Sequence, residues 1–321
     1  MWRPWRLHLR SLLRGVAAGS GSAAVVALGC PTSPVHALEQ RDSEPKPSRQ
    51  AIGGVVHEIL KPLRQVHTIE PALHGFFSKE TSVRGIPLRA HSSVSDSAIY
   101  VAADRLGRML RQFPEEVLTR LRRRGASFHV IAISQGTSDL PEHAHMKGVD
   151  GGYTGEKGLT LDMRARGMGG VNSSCGEENL IDLDADPRYG GSDILVHEFS
   201  HCIMDVGLSQ TMRQAIVDTY KLSVEGHGRW TREDGARVYA GSCAEEYFAE
   251  LTMWYFGSHG EFVDRCAKLP TPGPGGLAQY DPDGFSLLTS IYGGTHPGLK
   301  ELDPKLQRLV RYDMLWAKIG A

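Results

Sequence analysis

The segment His197–His201 (His-Glu-Phe-Ser-His) constrains this chain more than any other feature of its sequence. Side chains four residues apart lie one above the other on an α-helix, so the imidazoles of His197 and His201 can point at one position in space. The flanking residues from Ile194 to Ile203 are largely apolar, which predicts that this helix is buried. Buried histidines without partners cost free energy. The segment therefore predicts a metal ion held by two imidazoles.

Glu198 follows the first of these histidines and lies on the flank of the same helix face. From there its carboxylate can reach a water molecule on the metal, which predicts a general base. The pattern fixes only three of its five positions, so two core histidines paired with carboxylates are the alternative. Catalytic zinc usually takes three protein ligands and keeps a fourth position open, so a third ligand would favour the metal site.

A second segment, residues 239–250, offers that ligand. It carries Glu246 and Glu250 one turn apart on an otherwise apolar helix, where both carboxylates need partners. We predict that Glu246 is the third ligand of a single Zn2+, and that Glu250 accepts a hydrogen bond from the far nitrogen of a ligand histidine. The alternatives are two solvated helix acids, or a thiolate ligand from Cys243, three residues before Glu246.

The two segments together resemble the gluzincin metallopeptidases, and within them the catalytic domain typified by anthrax lethal factor. His197–His201 resembles the first motif of that family, and Tyr239 followed seven residues later by Glu246 resembles the second. More widely, the chain resembles uncharacterised secreted proteins of the zincin-like type. The resemblance implies zinc on His197, His201 and Glu246, Glu198 as the base, Tyr239 as hydroxyl donor to the oxyanion, and Glu250 in support of the ligands.

The remaining pattern predicts an α+β fold, with a small mixed sheet followed by a mainly helical half; the resemblance implies a zincin-like metallopeptidase domain. Strand composition marks residues 127–133, 159–163 and 179–183. Helical spacing predicts a helix within residues 93–112 and another after Pro114. The same spacing predicts further helices at residues 193–206, 209–224, 243–256 and 304–316.

We expect a zinc metalloendopeptidase that hydrolyses a peptide or protein substrate. One alternative is a non-catalytic binding domain stabilised by zinc, although such a site has no need of Glu198. Another is a zinc amidase with a non-protein substrate. An extended peptide could add a strand to residues 159–163 or to the Gly-rich residues 164–174.

The first 38 residues contain several arginines and no acidic residue before Glu39. This segment begins with basic residues, continues with an apolar run and ends at the small residue Ala37. The pattern predicts a signal peptide at residues 1–37 and a secreted or extracellular protein. A mitochondrial presequence and an uncleaved arm are the alternatives. Residues 38–52 read as a polar linker, and residues 53–321 as the catalytic domain.

The chain contains five cysteines, of which Cys30 falls in the predicted leader. In an oxidising compartment we predict two disulfides, Cys175 with Cys202 and Cys243 with Cys266, because each pair closes a modest loop. In a reducing compartment all four would be free thiols.

The charge balance is nearly neutral, with 36 basic and 37 acidic residues. Without a basic surplus, nothing predicts nucleic-acid binding. Outside the leader no apolar run approaches 18 residues, so we predict no membrane span in the mature chain. We expect the protein to be a monomer.

Overall fold

The computed structural model describes residues 65–181, 188–232, 234–259, 270, 273–293 and 307. All of them belong to one compact unit, residues 59–321. The predicted leader and linker lie outside the described residues, and so does the predicted helix at 304–316 apart from residue 307. The domain boundaries drawn from the sequence therefore stay predictions.

A six-stranded mixed sheet occupies the first half of the described chain, in the order β1-β2-β3-β4-β6-β5. Strands β1 to β3 are antiparallel, β3, β4 and β6 are parallel, and β5 is antiparallel to β6. The short strand β5 therefore forms one edge of the sheet. The strands are β1 (His67–Leu73), β2 (Phe77–Val83), β3 (Ile86–Ala90), β4 (Ser127–Ile131), β5 (Gly167–Met168) and β6 (Asn172–Gly176).

Helices lie between the later strands of the sheet and after its last strand, and the second half of the described chain is mainly helical. They are α1 (Asp96–Met109), α2 (Glu115–Arg123), α3 (Leu161–Arg164), α4 (Glu177–Ile181), α5 (Ile194–Cys202), α6 (Gln210–Tyr220), α7 (Ala244–Tyr255), α8 (Pro274–Tyr280) and α9 (Pro282–Tyr292). The predicted α+β class, with a mixed sheet before a mainly helical half, is confirmed.

Side-chain caps explain where several helices begin. The Ser95 hydroxyl accepts a hydrogen bond from the Ala98 amide at 3.3 Å at the start of α1, and the Ser209 hydroxyl accepts one from the Met212 amide at 3.2 Å before α6. Each cap satisfies an amide that has no partner within its helix. Ser95 lies within residues 93–112, where helical spacing predicts this helix.

The core holds α5 against both the sheet and α7. Helix α5 contacts β6 and α7, and Phe199 of α5 meets Phe128 of β4 edge-on, with ring centroids 6.2 Å apart. Both rings are fully buried and share one core with Phe248 of α7. This packing fixes the helix that carries both histidines relative to the helix that carries Glu246.

Two predicted strands are wrong. Residues 159 and 160 precede α3, and residues 161–163 form its first part. The Thr160 hydroxyl caps this helix by accepting a hydrogen bond from the Met163 amide at 3.4 Å. Residues 177–181 form α4, while 182 and 183 lie outside the described residues. Short apolar runs fit a strand and one helical turn equally well, and here capping and tertiary contacts favour the helix.

Two predicted helices change type before they end. The α-helical parts of 193–206 and 209–224 stop at Cys202 and Tyr220. Each continues as a π-helical turn, at Ile203–Gly207 and Lys221–Gly226. Such turns are frequent beside functional sites.

The predicted disulfides do not form, since Cys175, Cys202 and Cys243 are free thiols. The Cys202 Sγ atom lies 3.8 Å from the carbonyl oxygen of Val171, next to the start of β6, whereas Cys175 lies four residues further along the chain, near the end of that strand. At about 3.3 Å per residue, roughly 13 Å of extended chain separates these positions, which exceeds the reach of a disulfide. Cys266, the predicted partner of Cys243, lies outside the described residues.

In the part of the chain that the structure describes, none of the helices has the length and apolar character needed to cross a bilayer.

Candidate metal centre

A buried ion pair fixes the start of α5. The Asp193 carboxylate caps the helix by accepting a hydrogen bond from the Val196 amide at 3.3 Å, and Arg105 of α1 lies 3.2 Å from its other oxygen. Asn179 of α4 adds a hydrogen bond from the Ile194 amide at 2.9 Å. Loss of one partner from such a network leaves a buried group uncompensated, so the helix is held in one position.

The two histidines of α5 face each other across one turn of helix. The Nε2 atoms of His197 and His201 lie 3.2 Å apart, and the two rings are nearly perpendicular. Both nitrogens therefore point at the same small volume, as the spacing in the sequence predicts.

Glu246 of α7 closes this volume from the neighbouring helix. Its Oε2 atom lies 3.1 Å from His197 Nε2 and 3.5 Å from His201 Nε2. The three atoms thus form a nearly equilateral triangle. A tetrahedral ion with bonds of about 2.0–2.1 Å requires ligand atoms roughly 3.4 Å apart, which matches the triangle.

The Oε2 atom of Glu246 also tests whether a cation fits. It is buried and has no hydrogen-bond partner of acceptable geometry. An unpaired buried carboxylate oxygen is costly, and a cation at the centre of the triangle would compensate it. Nitrogen and carboxylate donors in this number suit Zn2+. The residues therefore fit the metal that the sequence predicts.

The electrostatics of the three groups agree with a cation site. Burial alone would raise the pKa of Glu246, but the adjacent imidazoles hold that pKa far below its ordinary value. Burial would lower the pKa of His197, but Glu246 and Glu250 raise it well above its usual range. Both shifts arise because carboxylates and imidazoles lie close together, and the negative charge of Glu246 and Glu250 around the imidazoles favours a cation at this position.

Glu198 lies beside the same centre. A carboxylate oxygen of Glu198 and one nitrogen each of His197 and His201 all lie within 4.8 Å of one another. Glu198 is thus a second carboxylate within reach of the imidazoles, but Glu246 makes the shorter contacts described above. Burial raises the pKa of Glu198 although the two histidines lower it. A raised carboxyl pKa suits a group that accepts and returns a proton near neutral pH.

Glu250 supports His197 from behind. Its Oε1 atom lies 3.0 Å from His197 Nδ1, the nitrogen that faces away from the triangle, and its Oε2 atom lies 3.1 Å from His259 Nε2. Burial would raise the pKa of Glu250, but the two histidines lower it to about 2. A carboxylate in this position fixes the tautomer and the orientation of a ligand histidine.

His259 is a contributor that the sequence does not reveal. It is buried, and its ring stacks on Trp254 of α7 with centroids 3.4 Å apart. It lies four positions after the last residue of α7, in a segment without periodicity. Only the fold brings it to Glu250.

Tyr239 lies beside the centre on the short turn that precedes α7. Its ring lies nearly parallel to that of His197, with centroids 6.0 Å apart, and the residue is 45% exposed. Burial of the hydroxyl, with Glu246 and Glu198 nearby, raises the pKa of Tyr239 well above 10. The phenol therefore stays protonated and can donate a hydrogen bond.

The edge strand β5 leads directly to the centre. The residue after it, Gly169, approaches α5 so closely that a Cβ atom there would lie 2.9 Å from Cβ and Cδ2 of His201 and 3.1 Å from Glu198 Oε2. A Cβ on Gly167 would lie 2.7 Å from the Ser174 carbonyl oxygen. Glycine is therefore required where the sheet edge passes the histidines.

We expect Gly169→Ala to displace the His201 imidazole and to weaken zinc binding by about 10- to 100-fold, the range that follows disturbance of ligand orientation. Competition with a chromogenic chelator measures the affinity. Gly275→Ala is the matched control, because a Cβ atom at Gly275 in α8 meets no atom within 4 Å. Equal zinc affinity in both variants would show that the close approach of Gly169 is not needed.

All six residues that the sequence assigns to the site come together here: His197, Glu198, His201, Tyr239, Glu246 and Glu250. Cys243 is the alternative ligand that the sequence offers. Burial raises the pKa of its thiol to about 11, which disfavours a thiolate.

None of the known protein-family profiles matches the sequence, and no curated protein matches it. Among solved structures, the chain is similar to the Pro-Pro endopeptidase PPEP-2 from Paenibacillus alvei, with a TM-score of 0.45 and 19% sequence identity. The similarity covers 64% of this chain and 97% of the endopeptidase. The resemblance to the catalytic domain of lethal factor stays a prediction.

Proposed function

We propose that this protein is a zinc metallopeptidase of the zincin-like type, with His197, His201 and Glu246 as its metal ligands. One observation carries the proposal: three ligand atoms form a triangle of the size that zinc requires, and Glu198 stands beside it. A structural zinc site usually takes four protein ligands, whereas a catalytic site takes three and keeps a position for water. The additional carboxylate favours a catalyst over a binding domain.

When bound, zinc would supply Lewis acidity, which acidifies water and polarises a carbonyl group. Glu198 accepts the proton of the attacking water and passes it to the nitrogen of the leaving amine. Tyr239 donates a hydrogen bond to the oxyanion that develops on the carbonyl oxygen. Glu250 keeps His197 in the tautomer that directs Nε2 at the metal.

The strand β5 is our proposed platform for the substrate main chain. As an edge strand it has one side without a partner strand, and Gly169 carries the same segment to Glu198 and His201. An extended peptide that pairs with this edge would present a carbonyl group to the centre. We therefore propose strand addition at the Gly-rich segment, because residues 161–164 are helical.

Incubation of the full chain with a diverse peptide library, followed by mass spectrometry of the products, tests the proposal. We expect new termini that accumulate with time and do not form in a sample treated with a chelator. Added zinc should restore cleavage in the chelator-treated sample. An unchanged library after prolonged incubation with the zinc-loaded protein would contradict a peptidase.

We expect Tyr239→Phe to lower the turnover number on the order of 100- to 1,000-fold, as loss of one oxyanion donor does, because the substitution removes only the hydroxyl. Steady-state kinetics measures the loss. Zinc content should be unchanged, since the tyrosine is not a proposed ligand. A variant with full turnover would remove Tyr239 from the mechanism.

We also propose that residues 1–37 are removed during export. A small residue at Ala37 and the basic start support this cleavage. Mass spectrometry of the mature protein should find an N-terminus at Leu38. Import into mitochondria, or an intact N-terminus in the mature protein, would contradict it.

A further inference from the structure

Glu250 uses each of its two carboxylate oxygens on a different histidine. Oε1 lies 3.0 Å from His197 Nδ1, and Oε2 lies 3.1 Å from His259 Nε2. A carboxylate can only accept hydrogen bonds, so both imidazole nitrogens are the donors. Glu250 is 7% exposed and His259 5%. His259 is therefore joined to the proposed ligand His197, with one buried carboxylate between them.

A turn at the end of α7 brings His259 back to Glu250. Gly257 has a φ of +65°, the left-handed conformation that glycine adopts after a helix. The amides of Gly257 and Ser258 donate to carbonyl oxygens in the last turn of α7, at 2.9 and 2.8 Å. These two hydrogen bonds form a Schellman motif, which ends the helix and reverses the chain. The residue that follows, His259, thus returns to the side of α7 that carries Glu250.

Two further contacts hold His259 in place. Its ring stacks on Trp254 with centroids 3.4 Å apart. The backbone of the preceding residue is attached to the start of α5, since the Asp193 amide donates to the Ser258 carbonyl oxygen at 3.1 Å. The turn is thus fixed both to α7, which carries Glu250, and to the cap of the helix that carries His197. Protein contacts alone set the position of His259 relative to this ligand.

The second oxygen of Glu250 gives the imidazole of His259 its importance. A buried carboxylate oxygen that loses its donor keeps the full cost of its desolvation. The carboxylate can lower that cost by turning toward another donor, and this movement takes Oε1 away from His197. A ligand histidine without its outer partner is no longer held in one tautomer and one orientation. Loss of the donor at His259 should therefore reach the metal ligand through Glu250.

We propose that His259 is a positioning residue of the metal centre, which holds Glu250 in the orientation that keeps His197 Nε2 directed at the metal. This role rests on the proposed function, because it presupposes zinc on His197. It differs from a packing role, which would require a ring on Trp254 but no donor to Glu250. Zinc affinity distinguishes the two roles without a peptide substrate.

Competition of the full-length protein with a chromogenic chelator of known zinc affinity tests the proposal. His259→Phe keeps a ring for Trp254 and removes the donor. We expect it to weaken zinc binding by at least about tenfold, the lower end of the range for loss of an outer partner. His259→Gln should bind zinc more tightly than His259→Asn, because the glutamine amide nitrogen takes the place of Nε2, whereas that of asparagine takes the place of Nδ1.

His129→Phe is the matched control. His129 is also buried, packs on the ring of Phe77 with centroids 4.4 Å apart, and pairs with the carboxylate of Glu142. Neither of these partners belongs to the metal centre. The control should bind zinc as the wild type does. Circular dichroism of the zinc-free variants establishes that they are folded.

A double-mutant cycle separates positioning from packing. Glu250→Met keeps the length of the side chain and removes both acceptor oxygens. If His259 acts through Glu250, His259→Phe should lower zinc affinity much less in the Glu250→Met background than in the wild type. A packing role would instead give two losses that add.

Three results would overturn the positioning role: wild-type zinc affinity in folded His259→Phe, additive losses in the cycle, or an equal loss in His129→Phe. If His259→Phe does not fold, equal zinc affinity of His259→Gln and His259→Asn would overturn it. A wild-type chain that binds no zinc would contradict the proposed function, and the positioning role with it. Zinc binding that depends on His259 in a protein that cleaves no peptide would contradict the peptidase alone.

Discussion

Glu198→Gln should retain one zinc per chain and lower the turnover number by about 100- to 10,000-fold, the contribution of a positioned general base. The substitution preserves the size of the side chain and removes the carboxylate that accepts the proton. The neighbouring imidazoles keep their contacts with Glu246 and Glu250. Zinc content by atomic absorption and single-turnover kinetics on a cleaved peptide measure the two quantities.

A Glu198→Gln variant that hydrolyses peptides at the wild-type rate would contradict the mechanism. A variant that loses zinc would also contradict it, because it would make Glu198 a ligand. That second outcome is a sharp test, since Glu198 and both histidines lie within 4.8 Å of one another.

Glu246→Gln should have the largest effect on metal binding. The substitution removes the negative charge whose Oε2 atom lies 3.1 Å from His197 Nε2. We expect zinc affinity to fall by more than the roughly 10- to 100-fold that follows loss of an outer-shell partner. Hydrolysis at limiting zinc should disappear with it. Competition with a chelator of known affinity measures the change.

Glu245→Gln is the matched control for that experiment. Successive residues of a helix point about 100° apart, so Glu245 is directed away from the face that carries Glu246. It should keep wild-type zinc affinity. If the two variants bind zinc equally well, Glu246 is not a ligand, and the third group must be sought elsewhere, with Glu198 as the first candidate.

Much of the centre could be predicted from the sequence because its geometry is largely local. The pitch of one helix sets the relative positions of His197 and His201. The pitch of another helix does the same for Glu246 and Glu250. An α-helix fixes such relations without reference to the rest of the fold. The α+β class followed from apolar periodicity in the same way.

The parts that sequence reasoning missed depend on contacts between distant segments. His259 reaches Glu250 only after the chain leaves α7. The edge strand β5 contains two residues, too few for a pattern. Residues 159–163 have strand composition, but the Thr160 cap and contacts with neighbouring loops favour a helical turn.

The disulfide prediction failed for a related reason. Loop length in the sequence says how far two cysteines can separate, not where the fold places them. Cys202 packs next to the start of β6 whereas Cys175 lies near the end of that strand, and burial raises the pKa of the Cys202 thiol to about 12. Both are therefore inert core residues in this fold.

Titration of zinc into the metal-free full chain, with bound zinc and peptide hydrolysis measured at each step, tests the central claim most directly. We predict that hydrolysis rises in proportion to bound zinc up to one equivalent per chain and then stays constant. Saturation at one equivalent without hydrolysis of any peptide, or hydrolysis that does not depend on zinc, would contradict the assignment of His197, His201 and Glu246 to a catalytic zinc site.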